Sequence, residues 1–351
     1  MIKDFLAGNE TIFLNDIALS YDFIPKEIPH RENEHHYIAT CIKPLFINRN
    51  GKNLFIFGSP GIGKTLAIKS IFKELEETSD NILTFYINCW KHNTTYKIIL
   101  EICSLINYKF AVDKSSDEIL KNIKPILNKN SIIFCFDEAD KLENHNILYF
   151  ILEDIYKKTI ILITNENSWI NKLDNRIKSR LYSELLEFRA YNYEETYDIL
   201  KKRSEYAFYP SVINKEALEL IAKKTFELQD IRAGLYLLKE SGNLAESKSS
   251  KKISLEDVNN AIKKLQEFQI KDDSEINKER KELLELIKNN SGKATSEIFS
   301  LYNKDISYRT FRRKLEDLAN SKSITLEEKS IGAKGKVTYV YFGISKSLNE
   351  F

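Results

Sequence analysis

The chain has 351 residues, 42% of them apolar and 30% charged, with 53 Lys+Arg against 51 Asp+Glu for a formal net charge of +2. That length supports two or three domains, each able to bury a core without disulfides, and the balance excludes disordered, collagen-like and membrane-spanning classes. With no apolar run near the ~18 residues of a membrane span, and no basic-then-apolar start in MIKDFLAGNE, a cytoplasmic protein without a membrane partner is expected.

Through the first half, short β-branched or aromatic runs alternate with helical patterns, which predicts a parallel sheet with helices on both faces. The predicted strands are Leu54–Phe57, Ile82–Asn88, Ile132–Asp137, Ile160–Thr164 and Glu184–Phe188. Cys41, Cys89, Cys103 and Cys135 stand far apart, without metal-ligand spacing, and are expected to be reduced, mostly buried thiols.

Between the first strand and the helix that follows, Gly58-Ser-Pro-Gly-Ile-Gly63-Lys64-Thr65 satisfies G-x-x-x-x-G-K-[ST]. Such a loop wraps phosphate oxygens with backbone N–H groups at a helix N-terminus. Gly61, Ile62, Gly63, Lys64, Thr65 and Leu66 are thus candidates for holding ATP or ADP, Lys64 on the β- and γ-phosphates and Thr65 on Mg²⁺. The apolar strand Ile132–Phe136 ends in Asp137-Glu138, where Asp137 suits the magnesium shell and Glu138 suits a general base for water. The next strand ends at Asn165, a side chain fit to orient that water. Arg180 is a candidate arginine finger toward a neighbouring subunit, and Arg232 is placed to reach the γ-phosphate from a second domain.

After about Ala190 the strand pattern stops. Helical spacing near Glu194–Ala207, Lys215–Thr225, Ile231–Ala245 and Leu255–Phe268 predicts an all-helical lid, with Ser254 and Asp257 as a capping box. The polar stretch Gln269–Asn277 reads as a linker.

Beyond it, residues 276–351 hold 15 Lys+Arg against 10 Asp+Glu, a net of +5, which leaves −3 for the rest of the chain. Helices are predicted at Glu279–Lys288, Thr295–Tyr302 and Tyr308–Asn320, the last capped by Ser307, followed by strands Ser323–Glu328 and Val337–Phe342. In the third helix Phe311, Leu315 and Leu318 share one face, and Tyr308, Arg309, Arg312 and Arg313 share the other. Together with Lys334 and Lys336 on the hairpin, this pattern predicts a winged helix that binds DNA.

The ordered motifs resemble the archaeal replication initiators related to the eukaryotic origin-recognition complex and its helicase-loading partner, which are AAA+ ATPases. The resemblance spans nearly the whole chain and includes Ile28-Pro-His-Arg31-Glu, Tyr191-Asn-Tyr-Glu-Glu through Arg203, and Asp230-Ile-Arg232-Ala-Gly. It implies that Arg31, Tyr191 and Arg203 lie at the nucleotide. Gln229 precedes Asp230 where the family usually has Gly.

The expected architecture is therefore an α/β P-loop AAA+ domain with a five-stranded parallel sheet, a helical lid and a C-terminal winged helix. The expected boundaries are residues 1–190 with an N-terminal extension, 191–270 and 278–345. The resemblance implies a nucleoid-associated replication initiator that binds double-stranded origin DNA, self-associates on it and recruits or loads the replicative helicase. Slow ATP hydrolysis would serve as its switch. Two alternatives are a signalling-type P-loop ATPase whose winged helix contacts protein, and a clamp-loader subunit. Clamp-loader subunits typically carry Ser-Arg-Cys where this chain has Ser179-Arg180-Leu181.

Overall fold

The structure, a computed structural model, describes residues 11–79, 81–109, 114–302, 304, 306–320, 323–330 and 336–342, with backbone alone at 268–278, 320, 329–330 and 336. It divides into two compact units, Met1–Lys263 and Lys264–Phe351.

In the first unit five parallel strands run in the order β2-β3-β4-β1-β5. They are β1 Leu54–Phe57, β2 Ile82–Asn88, β3 Ser131–Asp137, β4 Lys158–Ile163 and β5 Glu184–Glu187. Every residue of β3 is buried, which matches its unbroken apolar run, since a central parallel strand is covered on both faces. One face packs on α3 Thr95–Leu105, α4 Ser116–Leu127, α5 Asn146–Asp154 and α6 Asn175–Leu181, through residues such as Ile98, Ile119, Ile147 and Ile177. The opposite face packs on α1 Glu32–Ile42 and α2 Lys64–Thr78, through Ile38, Ile68 and Phe72. All four cysteines are free and buried.

The helical part of this unit comprises α7 Tyr193–Ala207, α8 Lys215–Leu228, α9 Ile231–Ser247 and the first turns of α10 Leu255–Asn289. A reciprocal capping box, Asn192 with Glu195, starts α7. The predicted box at α10 is also present: Ser254 N donates to Asp257 Oδ2 at 3.0 Å and Asp257 N to Ser254 Oγ at 3.2 Å. The Gln269–Asn277 backbone, expected as a linker, is instead helical within α10. Polarity alone misled the reading. The stretch contains no Gly or Pro, and charged and amide side chains do not by themselves interrupt a helix.

The N-terminal segment is bound to this helical part, which the sequence did not suggest. Leu14 N donates to Ala207 O at 2.8 Å, Tyr209 N donates to Ile12 O at 3.2 Å, and the Phe13 and Phe208 rings lie 5.0 Å apart.

The second unit contains the last turns of α10, then α11 Thr295–Leu301 and α12 Tyr308–Asn320. Its antiparallel sheet has the order β6-β8-β7, from β6 Lys293–Ala294, β7 Ile324–Ser330 and β8 Lys336–Phe342. Leu283, Ile287, Phe311, Leu315, Ile324 and Val340 build its core. This is the helix and hairpin order anticipated for a winged helix, with Thr310 N donating to Ser307 Oγ at 3.1 Å as the expected cap of α12.

Candidate functional site

At the C-terminal ends of β1, β3 and β4 lies a cleft of ≈ 290 Å³. Gly61, Ile62, Gly63, Lys64, Thr65, Leu66, Asp137, Glu138, Asn165, Tyr191, Arg203 and Arg232 all line it. Open α/β sheets bind ligands at this edge, because loops leaving the strand ends converge there.

The loop from β1 to α2 includes left-handed backbone at Gly61 (φ 73) and Gly63 (φ 91), where other residues would be strained. This conformation aims backbone N–H groups and the start of α2 into the cleft. Lys64 Nζ donates to Gly58 O at 2.7 Å, Ser59 O at 2.8 Å and Asn165 Oδ1 at 3.0 Å. Burial pushes its ammonium down to about 8, with the Asp137 and Glu138 charges acting the other way.

Thr65 Oγ1 donates to Asp137 Oδ2 at 2.7 Å, and the same oxygen accepts from Tyr86 OH at 2.6 Å. Tyr86 sits on β2 opposite Cys135 of β3, so strand register delivers it to Asp137. Its contribution went unnoticed in the sequence, where it reads as one more strand aromatic. Burial and the Asp137 charge push the Tyr86 phenol up. Glu138 occupies left-handed backbone at φ 54, and burial, then the neighbouring Asp137 and Asp140 charges, hold its carboxyl above the usual range. Such a carboxylate is a stronger proton acceptor.

The remaining candidates take other positions. Arg31 is 0% exposed and does not line the cleft; it supports the walls. Its guanidinium donates to Ile62 O at 3.0 Å, Arg189 O at 2.7 Å and Glu34 Oε1 at 2.8 Å, with the Tyr191 ring centroid 4.0 Å away. Arg203 reaches the cleft, yet its guanidinium donates to Ala18 O at 3.0 Å and Phe23 O at 3.1 Å, holding the N-terminal segment. That segment brings Tyr21, Asp22 and Pro25 into the lining, residues the sequence reading missed, beside Ile28 and Pro29 of the motif that runs on to Arg31. Arg180 lies outside the cleft, paired with Glu153 and 5.5 Å from the Tyr149 ring centroid. Arg232 lines the cleft and is held by Asp230, which has no separate role among the residues singled out above.

On α12, Phe311, Leu315 and Leu318 are buried while Arg309, Arg312 and Arg313 are exposed, as the helical spacing predicts. Tyr308 is partly exposed and its hydroxyl lies 2.8 Å from Thr295 Oγ1. Lys336 opens β8, and Lys334 lies outside the described residues. Among the described residues no helix is long and apolar enough to cross a membrane.

Residues 47–166 match the AAA domain family, and residues 197–263 match the Cdc6 AAA+ ATPase-type lid domain. The chain is 34% identical over 263 residues to the ORC1-type DNA replication protein 1 of Sulfurisphaera tokodaii, covering 71% of this chain and 66% of that one. It is 32% identical over 275 residues to the ORC1-type DNA replication protein 2 of Methanothermobacter thermautotrophicus, covering 75% and 73%. The fold is similar to that of the Aeropyrum pernix ORC1 protein solved in complex with DNA, with a TM-score of 0.71 at 23% identity over 96% of this chain and 95% of that one. It also resembles the Aeropyrum pernix ORC2 protein in its ADPNP-ADP complexes, with a TM-score of 0.65 at 19% identity over 94% of each chain.

Proposed function

The chain belongs to the family of ORC1-type DNA replication proteins, and from that premise we propose that it is an ATP-dependent replication initiator that binds double-stranded origin DNA and helps recruit or load the replicative helicase. The observation that carries this reading is the convergence of Lys64, Thr65, Asp137, Glu138, Asn165 and Arg232 on one cleft.

In this reading Lys64 and the glycine-turned loop hold the phosphates, while the segment around Tyr21–Pro29 closes over the far end of the cleft. Thr65 Oγ1 and Asp137 Oδ2 are hard oxygen donors 2.7 Å apart, a set that fits Mg²⁺, and both would hold it. When bound, the ion supplies charge neutralisation at the phosphates. Glu138 takes the proton of the attacking water, Asn165 orients that water, and Arg232 engages the terminal phosphate. Arg180, exposed and outside its own cleft, is available to the nucleotide of a neighbouring copy when the protein self-associates on DNA. Slow hydrolysis then acts as a switch between two long-lived bound forms.

The exposed arginines of α12 supply the DNA-binding face, with Lys334 and Lys336 on the hairpin and Tyr308 at the start of the helix. The similar Aeropyrum pernix ORC1 protein solved in complex with DNA supports DNA binding as such. The test is equilibrium binding of the full chain to DNA from beside its own gene and to scrambled DNA, at two salt concentrations, with Arg309/Arg312/Arg313→Ala in parallel. Sequence preference that disappears in the triple variant, with a shallower salt dependence, is the expected result. Weak binding without preference and unchanged by the substitutions would overturn the reading in favour of a winged helix that contacts protein.

A further inference from the structure

The residue that caps α9 is itself charged, and it stands against the phosphate loop. Asp230 Oδ1 accepts the Arg232 backbone N–H at 2.9 Å, the bond an N-cap side chain makes. The same carboxylate also takes the Arg232 side chain: Nε donates at 3.1 Å to Oδ1 and 3.2 Å to Oδ2, and Nη2 donates at 2.9 Å to Oδ2. Beside it, Ile231 N donates to Gly61 O at 3.2 Å, and a side chain at Gly61 would collide with the Asp230 carboxylate. A negative charge is therefore packed on a loop shaped for anions, and the guanidinium that offsets it is the one assigned to the terminal phosphate.

Capping does not require that charge, since Asn and Ser cap about as well as Asp. Nor can Arg232 give the same donors twice. The Nε and Nη2 edge that Asp230 occupies is one of the paired edges with which arginine grips a phosphate.

We propose that Asp230 competes with the terminal phosphate of a nucleoside triphosphate for Arg232, and so sets how strongly the cleft prefers a triphosphate over a diphosphate. The proposal rests on reading the cleft as a nucleotide site. A diphosphate lacks the terminal group and leaves the Asp230–Arg232 pair intact, whereas a triphosphate must draw Arg232 away from it. The Arg232 and Asp230 side chains are 56% and 30% exposed. Solvent weakens a pair of that kind, so the expected effect on affinity is about 2- to 5-fold.

The test measures dissociation constants of ADP and of the non-hydrolysable ADPNP, with Mg²⁺, for the full chain and for Asp230→Asn, Arg232→Ala and the double variant. Asn keeps the cap and the shape against Gly61 while removing the charge. Asp230→Asn is expected to tighten ADPNP about 2- to 5-fold relative to ADP, and the gain is expected to vanish when Arg232 is Ala. An unchanged ratio, a weakened ADPNP, or a gain that survives Arg232→Ala overturns the proposal. The failures are distinguishable. If Arg232→Ala lowers the preference but Asp230→Asn leaves the ratio alone, only the competition falls. If Arg232→Ala binds both nucleotides in the parent's ratio, the role of Arg232 falls and the competition with it. If the parent binds neither nucleotide, the reading of the cleft itself is wrong.

Discussion

Lys64 shows how a single residue couples the cleft to pH. Its ammonium, ordinarily at 10.5, is lowered to about 8 mainly by burial. At neutral pH it is charged and can pair with phosphate. As pH rises through about 8 the free protein loses that proton, while a bound phosphate favours keeping it. ADP affinity is therefore expected to hold below about pH 8 and to fall by up to about tenfold per pH unit above it. Calorimetric titration across that range checks this, and Lys64→Arg, which keeps its charge, should flatten the profile. A parent profile already flat to about pH 9 would mean that the ammonium is not depressed. For stability the sign is opposite. The folded value lies below the unfolded one, so the unfolded chain holds more protons between about 8 and 10.5, and the burial penalty of Lys64 is relieved as pH rises through that window. Lys64, Thr65 and Asp137 were legible in the sequence because a loop-to-helix motif and a strand end fix their places locally. Tyr86 and Asp230 were not. One reaches Asp137 through strand register and the other reaches Gly61 through packing of the helical part on the loop, and neither relation has a spacing to read.

Among the elements, the sheet was the most legible, because four apolar strand runs and the shorter Leu185-Leu186 stretch, set between helical patterns, admit few other arrangements, and the termini shifted by only a residue or two. The N-terminal segment was the least legible, since its residues follow neither period and its position depends on partners far along the chain. Arg203 is the clearest of these partners. Its buried guanidinium serves Ala18 O and Phe23 O and stacks 5.1 Å from the Phe23 ring centroid. Arg203→Ala would leave both carbonyls without this donor and remove the stack, a loss of about 1–3 kcal/mol. Faster hydrogen exchange across residues 16–25 and weaker nucleotide binding, with the hydrolytic rate at saturation little changed, are the expected outcomes. Arg203→Lys should recover part of the protection. Unchanged exchange in this segment would show that Arg203 does not hold it, and a loss confined to the hydrolytic rate would place Arg203 on the reacting phosphates instead.

For the whole molecule, charge and packing divide along similar lines. The excess of +5 lies in residues 276–351, while the motifs of the cleft lie in a remainder that carries −3. Each compact unit has its own apolar core, one built on both faces of the parallel sheet and the other around Phe311 and Leu315. A nucleotide that binds the first unit stabilises its folded form by about 2.7 kcal/mol at a hundredfold excess over the dissociation constant. For a unit of that size this corresponds to a shift of about 5–10 °C. Scanning calorimetry with ADP and Mg²⁺ should move the transition of Met1–Lys263 by that amount. Lys64→Ala should abolish the shift. Arg309/Arg312/Arg313→Ala should retain it in full, because those side chains are exposed on α12 and belong to the other core's solvent face. A shift that persists in Lys64→Ala would move the nucleotide site away from this cleft. One that disappears in the triple variant would show that the basic face of α12 takes part in holding the nucleotide, and the division of labour inferred from charge and packing would have to be redrawn.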